Sequence, residues 1–192
     1  MARRKVTFAP DHYYHVYNRG ANREDIFRVE DNYLFLLRRV KDCVSAFQVS
    51  VIAYCLMPNH YHFLLRQDGE QPISDFVQAI FNSYTKAFNK AFDRTGTLLE
   101  GPFCAIHVDE DVYLLHLCRY IHRNPLEAGL VSHPAEWPFS NYLEWVGQRE
   151  GSLVDRAFVR EHFPEPGEYE RFVMDYAPSR EIAQAVRELS LE

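Results

Sequence analysis

Residues 51–65 constrain the chain more than any other stretch. Two apolar runs, Val51 to Met57 and Phe63 to Leu65, are separated only by Pro58-Asn59 and the segment His60-Tyr61-His62. Runs this short, rich in β-branched and aromatic residues around a Pro-Asn turn, predict two buried antiparallel strands. Residues i and i+2 of a strand share a face. His60 and His62 therefore project together, and Tyr61 projects the other way. Two imidazoles on one rigid face form half of a divalent-metal site. Read as structural residues instead, each would need a polar partner in the core.

The 192 residues suffice for one domain with a real core, with or without a small appendage. Apolar residues make up 47% and charged residues 25%, which excludes a disordered chain. No apolar run is long enough to span a bilayer, and the segment MARRKVTFAP has no apolar core of a signal peptide. Cys43, Cys55, Cys104 and Cys118 are scattered without a CxxC, as expected for reduced thiols of a cytoplasmic protein.

Net charge is −6, which argues mildly against a nucleic-acid partner. The distribution is uneven. Residues 1–107 carry 13 basic and 11 acidic side chains, whereas residues 108–192 carry 8 and 16. A local basic surface on the first part is compatible with these numbers.

Residues 12–18 alternate as a strand and end at the turn Asn18-Arg19-Gly20. A helix is expected over about 32–47, capped by Asp31. A longer one is expected over about 74–92, with the apolar stripe Val77, Ile80, Phe81, Tyr84 and Phe88. Residues 97–108 look extended. An acidic start at 109–111 opens a further helix, which Asn124-Pro125 should end. The order β, α, β, β, α, β, α predicts an α+β fold, an antiparallel sheet backed by helices as in ferredoxin-like folds. Composition turns acidic after Gly147. We expect a main domain over 1–147 and a helical appendage over 148–192, broken near Pro164, Pro166 and Pro178.

Several residues have two readings. Tyr84 is either a core aromatic or a phenolic nucleophile toward a phosphodiester. Arg119 and Arg123, at i and i+4, and Arg19 beside Gly20 are either ion-paired surface groups or phosphate contacts. Trp137, Phe139, Tyr142 and Trp145 form a small satellite core or stack bases. A zinc protein would instead combine the histidine pair with Cys55, Cys104 or His107, or use Cys118 with His122.

MPNHYHFLL resembles the His-hydrophobic-His motif of the HUH single-strand nucleases. SYTKAFNKAFDRTGTLLEGPF resembles the tyrosine helix and following strand of the single-tyrosine transposases, and HVYNRGANREDIF, CRYIHRNPLEAGLV and WPFSNYLEWVG resemble, in this order, segments of the REP-associated tyrosine transposases (REP, repetitive extragenic palindromic sequence). The resemblance covers about residues 12–147. It implies a ferredoxin-like HUH core that cuts and rejoins single-stranded or hairpin DNA through a 5′-phosphotyrosine. Mg²⁺ or Mn²⁺ would be required, with no organic cofactor and no membrane. Such enzymes act as monomers or as dimers that share active sites. Carried over, it makes His60 and His62 metal ligands and Tyr84 the nucleophile; Asn18, Arg19, Arg119, Arg123 and Asn124 are the candidate DNA contacts. The wider superfamily often takes a third ligand, an amide or acid, one helical turn after the tyrosine. Phe88 stands there. Asn89, one residue further, and His15 are the alternatives. The departure also leaves room for a DNA-binding relative that no longer cuts. A positive groove is expected beside Tyr84, drawn from Arg19, Arg23, Lys86, Lys90, Arg119 and Arg123.

Overall fold

The computed structural model describes residues 6–109, 111–175 and 184. Four strands form one antiparallel sheet in the order β2-β3-β1-β4: β1 (Tyr13–Arg19), β2 (Val49–Met57), β3 (His60–Gln67) and β4 (Cys104–Val108). That is the ferredoxin-like order. Pro58-Asn59 makes the β2–β3 turn, pairing Met57 with His60 and Cys55 with His62.

The long helices α1 (Glu30–Val44) and α2 (Ile73–Ala91) pack together. They cover one face of the sheet through Tyr14, Val16, Tyr54, Leu56, Tyr61, Phe63 and Leu65. Helix α3 (Asp111–Glu127) covers the other face, burying Leu117, Cys118 and Ile121 on Ala53, Cys55, Met57 and Leu64. The sheet is thus buried on both faces, which explains its continuous apolar runs. A register shift between Val51 and Ala53 puts Val51 and Ala53 on opposite faces.

Two boundaries differ from expectation. Helix α1 begins before Asp31, because Asn32 Oδ1 accepts the backbone N–H groups of Arg28 (3.0 Å) and Val29 (3.2 Å). Helix α3 runs through Asn124-Pro125 to Glu127. Proline costs little in a last turn, where only one helical bond is forfeited. As a result, Asn124 stays helical and shares a face with Tyr120.

Residues 137–141 close the edge of β2. Leu56 N–H donates to Phe139 O (2.9 Å), and Phe139 stacks on Tyr33 with centroids 3.8 Å apart. The indoles of Trp137 and Trp145 donate to Leu56 O (3.1 Å) and Ile52 O (2.9 Å). With Tyr142 buried beside them, these aromatics are packing residues. Covering an edge strand also removes a site of aggregation.

The chain continues through α4 (Tyr142–Trp145), α5 (Arg156–His162) and α6 (Glu168–Met174). Phe158, Tyr169 and Val173 bury into the core beneath α3. The expected break at Pro178 lies outside the described residues. No helix among the described residues is long and apolar enough to cross a membrane.

Fully buried His122 ties this layer together. Its Nε2–H donates to Asn141 Oδ1 (2.8 Å), so its Nδ1 accepts from the Tyr169 hydroxyl (2.5 Å). Burial lowers its pKa from 6.5 to about 4, and the bond to Asn141 opposes the shift only in part. Between those values the unfolded chain binds a proton that the folded chain refuses. Stability should therefore rise with pH across that window, and acidification through it should cost roughly 3 kcal/mol. Urea unfolding at pH 4.5 and 7 tests this. His62 adds a dependence of the same sign, so His122→Gln should reduce the slope without abolishing it, and an unchanged slope in that variant would assign the acid sensitivity elsewhere.

Candidate active site

The imidazoles of His60 and His62 lie on the α3 face of the sheet, as strand alternation demands. Leu64, next in the same row, packs under α3, while Tyr61 and Phe63 point to α1 and α2. The two rings meet edge to face at 5.1 Å. His62 is fully buried and His60 half-buried, so the site opens to solvent on the His60 side.

Strand β1 lies directly beside β3, and His15 reaches His62: His15 Nε2 and His62 Nδ1 are 3.0 Å apart. Tyr17, on the same face, has its ring 6.0 Å from His62. Burial first, then Cys104, pushes the Tyr17 phenol up to about 12.

Helix α3 supplies the remaining groups. The Tyr120 ring stands edge-on to His62 with centroids 5.5 Å apart. One turn later, Asn124 Oδ1 is 3.0 Å from His60 Nε2. Tyr120 and Asn124 are both half-buried, at the open end of the site.

Tyr84 is elsewhere. It projects from α2 into the core on the opposite face of the sheet, 1% exposed, among Phe27, Phe81 and Phe88. Its hydroxyl donates to Ile26 O. Desolvation, with Tyr33 adding to it, pushes the phenol far above its ordinary value. The sheet separates it from the histidine pair. Asn89 is also on α2, where its Nδ2 donates to Gly96 O (3.0 Å) at the helix exit. Neither residue is brought to the histidines.

The expected DNA contacts divide in the same way. Asn18 is 6% exposed and serves the backbone: Nδ2 donates to Gly101 O (2.9 Å), and Oδ1 accepts from Arg19 N–H (2.9 Å). Arg119, 4% exposed, donates to Phe172 O (3.0 Å) and lies over the Phe172 ring. Arg123 donates to Val173 O (3.0 Å) and pairs with Glu127. Both guanidiniums hold the last carbonyls of α6, where helix C-termini favour cations. Arg19, opposite His60 in the ladder, stays at the rim in an ion pair with Glu100. Lys86 and Lys90 belong to α2, on the far side of the sheet. The expected groove beside Tyr84 is therefore not assembled.

The site can be tested for a cation. Burial, with His15 and His60 adding to it, holds the His62 pKa well below the ordinary imidazole range, so the ring is neutral as a ligand must be. Its Nε2 is a buried atom with no hydrogen-bond partner among the described residues. His60 Nε2 faces the Asn124 amide. Two imidazoles and an amide oxygen fit an oxygen-preferring divalent ion with an incomplete protein shell. Among the described residues no three His, Cys, Asp or Glu side chains surround a point that would suit a metal. The zinc sets anticipated above are dispersed. Cys55 is a buried thiol donating to Met57 Sδ, and both His122 nitrogens are engaged.

The sequence reading did not anticipate Tyr120 beside His62 or Asn124 beside His60. Their i, i+4 spacing in CRYIHRNP was the available signal.

One solved structure shares this architecture. A solved REP-associated tyrosine transposase bound to a REP hairpin superposes with a TM-score of 0.65 at 18% identity, over 81% of this chain and 94% of that one. A candidate transposase of Deinococcus radiodurans R1 aligns over 59% of this chain and 89% of its own, with 22% identity and a TM-score of 0.43. No curated protein sequence matches the chain. The fold is that of the REP-associated enzyme. The IS200-like transposase family matches residues 9–124, more than half of the sequence, and the chain belongs to that family.

Proposed function

We propose that this transposase is a metal-dependent single-strand DNA endonuclease and strand transferase that uses Tyr120 as its nucleophile. The observation that carries the reading is the placement of Tyr120 and Asn124 on one face of α3, against His62 and His60. They satisfy the superfamily's pattern of a tyrosine followed one turn later by an amide. Tyr84 and Phe88 do not.

In the reaction, the Tyr120 phenol oxygen forms a bond to the scissile phosphorus. The phosphorus–O3′ bond breaks in line with it. The phenol loses its proton, and the departing 3′ oxygen gains one. The products are a 5′-phosphotyrosine and a free 3′-hydroxyl. Attack by a 3′-hydroxyl reverses the step and rejoins DNA. One phosphodiester is exchanged for another, so no nucleotide cofactor is needed. Mg²⁺ or Mn²⁺, held by His60, His62 and Asn124, would act as a Lewis acid that offsets charge on the scissile phosphate.

The solved relative binds a REP hairpin. We extend this to hairpin DNA with a single-stranded flank as the partner here, in the cytoplasm. Arg19 and Arg23, both close enough to Glu100 to lower its pKa, stand at the rim to meet phosphates. Residues 1–147 would carry the chemistry, with 148–192 as an appendage that reaches the core beneath α3 through Phe158, Tyr169 and Val173. Among the described residues few basic side chains face the site, so DNA shape and exposed bases would supply much of the specificity.

Incubation with hairpin DNA from the flanks of its own gene, plus Mn²⁺, should yield a covalent protein–DNA adduct on a denaturing gel. Chelation should prevent it. His60→Ala or His62→Ala should reduce cleavage by about 10²-fold or more while hairpin affinity changes little, because many phosphate contacts hold the DNA. An adduct that forms equally well in chelator would refute the metal requirement. Hairpin binding without any adduct would favour a relative that no longer cuts.

A further inference from the structure

We propose that Asn59 and His15 are positioning residues that hold His60 and His62 in the Nδ1–H tautomer, so that both Nε2 lone pairs face the site. The inference rests on the metal-site reading above and adds two residues to it.

Asn59 occupies the tight β2–β3 turn. Its Nδ2 donates to Arg23 O (3.4 Å), which fixes the sense of the amide. Its Oδ1 must then accept, and it lies 2.7 Å from His60 Nδ1. His60 Nδ1 consequently carries the proton. In the neutral ring, Nε2 is left as a lone pair, 3.0 Å from Asn124 Oδ1. Two acceptors face each other there. Such a pair is relieved if the ring is an imidazolium, if the amide turns over, or if a cation stands between them.

The loop that presents Arg23 O is built for this approach. Gly20 N–H donates to Asn59 O (2.7 Å). A Cβ at Gly20 would stand 2.0 Å from Glu24 O, so only glycine allows the chain to fold back so tightly. Asn22 and Arg23 then take positive φ values of 57° and 61°. Sparsely populated backbone of this kind persists where its surroundings over-determine it.

His15 does the same for His62. The two rings are nearly coplanar, 19° apart, with centroids 5.2 Å apart and nitrogens 3.0 Å apart. That is an in-plane N–H···N bond. If His15 donated, His62 Nε2 would carry a buried hydrogen with no acceptor among the described residues. If His62 Nδ1 donates, Nε2 is a lone pair available to a cation. Orientation of a ligating imidazole through its second nitrogen is the general rule for metal-binding histidines.

Two measurements test the roles without reference to turnover. Ring ¹⁵N shifts of histidine-labelled, metal-free protein report the tautomer of each residue. Mn²⁺ affinity follows from electron paramagnetic resonance of the free ion. The native protein should show Nδ1–H at both His60 and His62. Asn59→Ala should move His60 toward Nε2–H, and His15→Phe should do so for His62. Each should weaken Mn²⁺ binding about 10–100-fold. Asn59→Asp and His15→Gln, which keep an acceptor, should restore the native tautomer. An Nε2–H tautomer at either position in the native protein would overturn the proposal and needs no variant to detect. Unchanged tautomers and affinity in folded Asn59→Ala and His15→Phe would overturn it too. Native protein that shows both expected tautomers but binds no Mn²⁺ would sink the metal reading while supporting the positioning roles.

Discussion

Tyr120→Phe should abolish the covalent protein–DNA adduct, a loss on the order of 10³-fold or more, while leaving hairpin affinity and fold intact. In the proposed reaction the phenol oxygen bonds to phosphorus, and phenylalanine removes little else. Tyr84→Phe should behave in the opposite way. It deletes a buried hydrogen bond to Ile26 O, at a cost of roughly 1–2 kcal/mol in stability, and leaves adduct formation close to native. Tyr17→Phe serves as a second control, since its ring also approaches His62. Denaturing gels with labelled hairpin DNA give the adduct yield, and thermal unfolding gives the stability. A persistent adduct in Tyr120→Phe would refute the assignment. Its loss in a well-folded Tyr84→Phe would restore Tyr84, and would require α2 to leave the core.

Much of this site is legible in the sequence, and the part that is not has a physical cause. Period-2 alternation fixes His60 and His62 on one face whatever the rest of the fold does. The Pro58-Asn59 turn sets their strand as half of a hairpin. Strand order follows from element order and the ferredoxin-like resemblance. None of these says which face of the sheet a helix will cover. Helices α2 and α3 both carry tyrosines on amphipathic stretches, and only the path of the connections puts α3 over the histidines. The apolar stripe Val77, Ile80, Phe81, Tyr84 and Phe88 already described a core helix, and Phe88 at the ligand position was a warning. Asn124-Pro125 worked in the other direction. Proline predicts a helix end there, which would take Asn124 off the helical face, yet the helix continues to Glu127. Local preference is broken at Asn124, the third of the proposed ligands. That is where functional demands most often override it. Arg119 and Arg123 illustrate a different limit. Their i, i+4 spacing gives a shared face but not its partner, which is the C-terminal end of α6.

The tail and the site meet through Asn141, and Asn141→Ala should be the most destabilising single change to a polar side chain, at roughly 3–5 kcal/mol. The side chain is fully buried. Its Oδ1 accepts from Tyr54 N–H (2.8 Å) and from His122 Nε2–H (2.8 Å). Its Nδ2 donates to Ile52 O (2.9 Å) and Leu153 O (3.1 Å). Four partners on β2, α3 and the 151–155 loop thus depend on one amide. Alanine strands the Tyr54 and His122 donors and the Leu153 carbonyl in the interior. Ile52 O keeps its bond from the Trp145 indole, which limits the loss. Asn141→Asp keeps the acceptors but cannot donate to the two carbonyls, and should fall between native and alanine. Urea unfolding measures all three proteins, and a loss below 1 kcal/mol in Asn141→Ala would show that water replaces the amide. The consequence for function runs along α3. His122 lies two residues from Tyr120 and two from Asn124, so loosening its anchor frees the helix that presents both to His60 and His62. In folded Asn141→Ala at low temperature, Mn²⁺ affinity should therefore fall as well, although the substituted residue touches none of the proposed ligands.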